Sequence, residues 1–211
     1  LCVVLVLLDI DFMALQEVWV DRKELKVPGY GYVGASGKCS RGLAGRGVGG
    51  CGFLVKNKWL DVVRLEGKVI EGQRCIWVEV KERNSSCWLC SFHGDSRTNF
   101  DLKRSIDGCE DVERMLGEVE RLRGRGQVVV MGDFNIPLPA VIKEGEGMMN
   151  AADSLVKRLK ESGMFRCDVR EGSQEWSRKG WNSRSLIDHI FIGGGMEGSK
   201  VVVKDIKGVN M

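Results

Sequence analysis

Four short stretches of the chain carry side chains that could act on a phosphate or hold a metal. Gly132-Asp133-Phe134-Asn135 follows the apolar run Val128–Met131. An acid and an amide two residues apart at a strand's end can point into one cleft, and the glycine lets a phosphate or metal approach the backbone. The same letters suit a plain Asp/Asn turn, and alone the two readings weigh evenly. Gln16-Glu17 ends a second apolar run. A carboxylate there is a good ligand for magnesium, which takes one or two carboxylates plus water and substrate oxygens. Alone, a strand-end glutamate turned to solvent is the more frequent case. His93, in Ser91-Phe92-His93-Gly94, ends a third run. Its imidazole can donate a proton or bind a phosphate oxygen near neutral pH, although a strand-end histidine is more often structural. Asp188 and His189 sit in the apolar run Ser185–Phe191. Burying Asp188 is costly without a basic partner; otherwise it caps a local turn.

These residues need strands to hold them. Phe12–Val18 reads as a short buried strand, and Leu1–Ile10 before it as a helix tail or a buried strand. Residues 28–50 are glycine-rich and read as loop. Cys51–Lys56, Gln73–Glu82 and Ser86–His93 read as adjacent strands joined by turns in one sheet. The period then changes: Leu102, Ile106, Cys109, Val112, Met115, Leu116, Val119 and Leu122 recur at three and four, an amphipathic helix. Thr98 and Asp101 make a capping box for its start, and Gly124 and Gly126 end it. Arg121, Arg123 and Arg125 suit the negative pole of its dipole. Gln127–Met131 reads as a strand, about 151–162 as a helix on Leu155, Val156 and Leu159, and Ser185–Ile192 and Lys200–Lys204 as further strands. No repeat, low-complexity tract or linker divides the chain, so one mixed α/β domain is expected over 1–211.

Composition removes several alternatives. Apolar residues at 43% and charged ones at 29% suffice for a core and a wet surface, which argues against disorder. Glycine, 28 of 211 residues, follows no Gly-X-Y period, so collagen is excluded. Gly45-Arg46-Gly47-Val48-Gly49-Gly50 spells a dinucleotide fingerprint but precedes a strand instead of joining strand to helix. Neither a P-loop nor a G-x-S-x-G elbow is present. Eight cysteines are too sparse for a disulfide scaffold, and reduced thiols inside a cell are expected. Cys87 and Cys90 have CxxC spacing, yet residues three apart on a strand face opposite sides, which argues against zinc. Leu1–Leu8 is too short to span a bilayer. The net charge of +3 permits an anionic partner without demanding one.

Taken together and in order, "LQEVW" at 15–19, "GVGGCGFLVKN" at 47–57, "SFHGD" at 91–95, "GDFN" at 132–135 and "SLIDHIFI" at 185–192 resemble the endonuclease/exonuclease/phosphatase (DNase I-like) family, over nearly the whole chain. The resemblance implies an α/β, four-layer fold, with two packed mixed β-sheets flanked by helices. It implies hydrolysis of a phosphodiester by in-line attack of water, with Mg2+ (or Mn2+) as cofactor. By position, Glu17 resembles the metal-binding glutamate and His93 the histidine or tyrosine that contacts the scissile phosphate. Asp133 resembles the aspartate that orients or deprotonates the water, Asn135 the amide on a phosphate oxygen, and Asp188 the aspartate that pairs with a later catalytic histidine. His189 is not that histidine, since it points away from Asp188's side. The family's first strand with its asparagine and its last Ser-Asp-His strand have no counterpart here, so the domain is expected to be incomplete at both ends and weakly active or inactive.

"GDFNIPL" and "SLIDHIF" are similar to endonuclease domains of LINE-type retrotransposons, which nick DNA, although those usually have tyrosine at the position of His93. Nucleic acid, DNA before RNA, is therefore the expected partner of a monomer inside the cell, the nucleus included. Arg41, Arg46, Arg178, Lys179 and Arg184 lie in loops that could flank a phosphate backbone, with Trp176 and Trp181 able to stack on a base. Two other outcomes stay open: a phosphatase or phospholipase acting on small phosphoesters or inositol lipids, and a catalytically dead binding domain.

Overall fold

The computed structural model describes residues 9–19, 25–39, 47–70, 72–82, 84–94, 109–136, 151–167, 178–179, 184–185 and 188–195. Among these, two substantial sheets form. The first joins β1 (Phe12–Gln16), β2 (Tyr30–Gly34) and β5 (Cys51–Lys56), with β5 central and both pairings antiparallel. The second holds β6 (Val63–Leu65), β7 (Cys75–Glu82), β8 (Ser85–His93), β9 (Gln127–Asp133), β10 (Met164–Arg166) and β13 (Asp188–Gly193), in the order β10-β13-β9-β8-β7-β6. Its one parallel pairing among the described strands is β8 with β9. A parallel pair needs a crossover, and α1 (Glu110–Arg123) supplies it. Two ladders of two residues complete the description: β3 (Lys38–Cys39) with β4 (Gly47–Val48), and β11 (Arg178–Lys179) with β12 (Arg184–Ser185).

Strand alternation divides the apolar residues between two layers. Ile76, Val78, Leu89, Val129 and Ile192 face Phe53 and Val55 of the smaller sheet and form the core between the sheets. Their neighbours Trp77, Trp88, Cys90, Phe92, Val128, Val130 and Phe191 turn the other way, under α1 and α2 (Ala151–Glu161). Helix α1 buries Val112, Met115, Leu116, Val119 and Leu122, which lie on one face at spacings of three and four. Glu110, Asp111 and Glu113 open it and Arg121 and Arg123 close it, the order its dipole favours. Glu113 also pairs with Arg158 of α2 (Nη2 to Oε2, 2.9 Å), fixing the two helices side by side.

Several expectations are corrected. Cys51–Lys56 does not share a sheet with the strands that follow it, because the 3-10 turn Asn57–Val62 carries the chain across to the larger sheet. Within 28–50, expected as loop, Tyr30–Gly34 pairs with β5: Tyr30 and Tyr32 give that glycine-rich stretch enough side chain to pack. The strand expected from Ser185 begins at Asp188, and Arg184–Ser185 pairs with Arg178–Lys179 instead. Helix α1 starts at Glu110 with Cys109 as its N-cap residue and no side-chain cap. Thr98, Asp101, Leu102 and Ile106 lie outside the described residues, as do Leu1–Leu8 and the expected strand Lys200–Lys204. Cys87 and Cys90 do face opposite sides of β8: Cys87 packs between the sheets and Cys90 under the helices. Among the described residues no helix is long and apolar enough to cross a membrane.

Candidate active site

Three strand ends of the larger sheet lie side by side. His93 closes β8, Asp133 closes β9 and Asp188 opens β13. The registers pair His93 with Asp133 and Asp133 with Asp188. Residues in register share a face. The row therefore looks the same way as Leu89, Met131 and Ile190, toward the smaller sheet. Residues 93, 133 and 188 thus form one line across three neighbouring strands.

Glu17 reaches this line from the other sheet. Its carboxylate Oε1 stands 3.8 Å from His93 Nε2, with the glutamate side chain 55% exposed and the histidine 7%. Gln16, next to it, donates from Nε2 to Ser91 Oγ (3.0 Å), and Ser91 Oγ donates to the Leu15 carbonyl (2.9 Å). These two bonds pin the end of β1 onto β8, two residues before His93. Ser91 is fully buried. Ser91→Ala is expected to cost about 1–2 kcal/mol, since it removes both bonds from the part-buried Gln16 amide and Leu15 carbonyl; urea unfolding would show it, and an unchanged midpoint would sink the role.

The turn after β9 is held by its own side chains. Asp133 Oδ1 accepts the Asn135 backbone N–H at 2.7 Å, and Asn135 Nδ2 donates to the Gly94 carbonyl at 2.8 Å. Asn135 adopts φ +54°, a left-handed conformation that Asn tolerates better than most residues, and it is 6% exposed. Its amide is thus engaged by the backbone beyond His93, and one N–H of Nδ2 is left over, since that nitrogen carries two. Arg74 binds the same corner: it donates from Nη1 to the Gly94 carbonyl (3.2 Å), and its own carbonyl accepts the His93 N–H (2.8 Å).

Gly132 has a different reason for being glycine from the one its motif suggested. With φ +147°, a Cβ there would lie 2.0 Å from the Phe92 carbonyl oxygen. The close neighbour is the adjacent strand, so no ligand is needed to explain the residue.

Asp188 is exposed, so the burial cost anticipated for it does not arise. His189 turns to the opposite face and is 1% exposed. Its Nδ1 lies 2.9 Å from Arg166 Nη2 and its Nε2 3.1 Å from the Ile136 carbonyl. An arginine can only donate and a carbonyl only accept, which assigns the Nε2–H tautomer. His189 is therefore a strut under the 133–136 turn.

Of the residues singled out in the sequence, the structure brings Glu17, His93, Asp133, Asn135 and Asp188 to one end of the two sheets. Trp176, Trp181, Arg41 and Arg46 lie outside the described residues, and of Arg178, Lys179 and Arg184 only the backbone is described. Sequence reasoning gave no role to Gln16, Ser91 or Arg74. Gln16 and Ser91 stood inside the quoted motifs, but only the register shows that they meet. Among the described residues no three His, Cys, Asp or Glu side chains form a metal cage. The exposed carboxylate of Glu17 is the donor type magnesium takes when water and substrate oxygens fill the rest of its shell.

The family described as Endonuclease/Exonuclease/phosphatase matches residues 2–209. No curated protein matches the chain. Among solved structures, the endonuclease domain of TRAS1, a telomere-specific non-LTR retrotransposon, is similar at 15% identity and TM-score 0.58, over 92% of this chain and 78% of that one. The AP endonuclease LMAP from Leishmania major is similar at 17% identity and TM-score 0.64, over 90% and 72%. The 3′ phosphatase NExo from Neisseria, bound to product DNA hairpin, is similar at 15% and 0.58, over 88% and 77%. At these identities the likeness is one of fold.

Proposed function

The chain belongs to the endonuclease/exonuclease/phosphatase family, and from that premise we propose that it is a magnesium-dependent phosphodiesterase that cuts nucleic acid internally, DNA in preference to RNA. The observation that carries the reading is the line His93–Asp133–Asp188 with Glu17 set against it from the other sheet. It brings carboxylates, an imidazole and an amide to one end of the two sheets, which supports their acting on one phosphate.

Each residue has a role suited to its surroundings. Asp133, anchored through Oδ1, is the carboxylate to orient a water and take its proton. His93 is nearly buried, so its ring is confined enough to meet a non-bridging phosphate oxygen. Asn135 offers its remaining N–H to another oxygen of the same phosphate. Asp188 is the carboxylate for pairing with a histidine acid, which His189 cannot be from the opposite face. Glu17 would hold the magnesium, which when bound stabilises the charge that develops on the phosphate. Nucleic acid is favoured over small phosphoesters by the retrotransposon-like motifs and by fold relatives named as endonucleases or seen with DNA.

The test is nicking of supercoiled plasmid with magnesium and with chelator. Slow formation of open circles that needs the metal and vanishes with chelator is expected, in keeping with the weak activity anticipated from the sequence. Equal traces of nicking under both conditions would refute a metal-dependent nuclease. Release of phosphate from inositol phosphates without nicking would move the chain to the phosphatase reading.

A further inference from the structure

Trp19 is an exposed aromatic residue that the site described above leaves unexplained. Among the described residues it is one of three large apolar side chains left exposed, at 41%, and it lies two residues beyond Glu17. A lone exposed aromatic is unremarkable on a surface, but this one is held still. Just before it the backbone is clamped at both polar groups of Val18: the Val18 N–H donates to the Gly50 carbonyl (3.0 Å), and Gly37 N–H donates to the Val18 carbonyl (2.6 Å). The indole edge rests on Gly37, where a Cβ would come within 2.8 Å of Trp19 Cδ1. Glycine at 37 is what lets the ring lie down on the backbone. Val18 between them is buried, so the segment carrying Glu17 and Trp19 is docked as one piece.

The result is a flat π-surface, fixed on the same short segment as the candidate metal carboxylate and open to water. We propose that Trp19 is a base-stacking platform of this site, taking the face of an unpaired or displaced base that flanks the scissile phosphate. This rests on the nucleic-acid reading and narrows it, because a paired base inside a duplex has no free face. Stacking suits the chemistry: every base has a π-face, and a ring already held in place loses little freedom when a base lands on it. An inositol or a simple phosphate ester has no such face to offer.

The experiment is steady-state cleavage, with magnesium, of a short labelled oligonucleotide by the wild-type chain, Trp19→Phe and Trp19→Ala. The same measurements are made on oligonucleotides carrying one abasic position, moved stepwise along the flank of the cut. Trp19→Ala is expected to raise KM about tenfold with kcat little changed, and Trp19→Phe to keep most of the wild-type KM. At one position, removing the base should raise the wild-type KM by a similar factor and leave Trp19→Ala unaffected, the signature of a direct pair. A KM for Trp19→Ala within about twofold of wild type, or an abasic penalty equal in both proteins, overturns the stacking role while the nuclease stands. A drop in kcat with a lower melting temperature also overturns it, as the residue would then be structural. A wild-type chain that cleaves no nucleic acid overturns both readings together.

Discussion

Asp133→Asn is expected to lower magnesium-dependent nicking about a thousandfold while leaving the melting temperature nearly where it was. The bond that shapes the turn is accepted by Oδ1 from the Asn135 N–H at 2.7 Å. An asparagine carbonyl can accept the same bond, so the turn, the Asn135 amide on Gly94 and the strand register should survive. What is lost is the negative charge, which is the part the proposed chemistry uses. Asp133→Ala removes the turn bond as well and should lose both activity and stability. The informative result is the separation between the two variants. If Asp133→Asn keeps nicking within tenfold of wild type, the carboxylate at 133 is not the group that handles the water.

The largest effect on stability is expected at Gly132. Phe92 and Gly132 are register partners on the parallel pair β8 and β9. A Cβ at 132 would sit 2.0 Å from the Phe92 carbonyl oxygen, at a φ of +147° that side chains rarely adopt. Gly94 repeats the situation across the same seam, with a Cβ 2.2 Å from the Phe134 carbonyl oxygen. Neither obstacle is a flexible side chain, so the strands themselves must part. Gly132→Ala should therefore cost about 4 kcal/mol, from strain and overpacking together. For a domain of this size that is a fall in melting temperature of about 10 °C. A melting point within about 2 °C of wild type would show that the seam yields more easily than its geometry says.

The amphipathic helix 110–123 and the strands on either side of it were legible, because their periods are set by one buried face each. The sharing of strands between sheets was not legible. Cys51–Lys56 and Cys75–Glu82 look alike as apolar runs, and nothing local says that the turn at Asn57–Val62 takes the chain from one sheet to the other. Tyr30–Gly34 was hidden by its glycines, which serve close strand approach and not looping. At the site, the residue types at 17, 93, 133, 135 and 188 could be picked from motifs, but their alignment is a property of strand register. Gly132 was legible as special but for a reason that the neighbouring strand supplies. Trp19 stood in plain view beside Glu17, and only its exposure and its seat on Gly37 give it a role.

The bonds from Gln16 to Ser91 and from Ser91 to Leu15 join residues 75 and 76 positions apart in the chain. They also join the two sheets, and Glu17 is the next residue along. Any opening that lifts the smaller sheet away, even with the larger sheet and its helices still formed, carries Glu17 from His93. Such partial openings are less costly than global unfolding. Cleaving power should then fade at a lower temperature or denaturant concentration than helical structure does. On the proposed reading, a half-assembled chain, fresh from synthesis or recovering from heat, would accordingly leave phosphodiesters uncut.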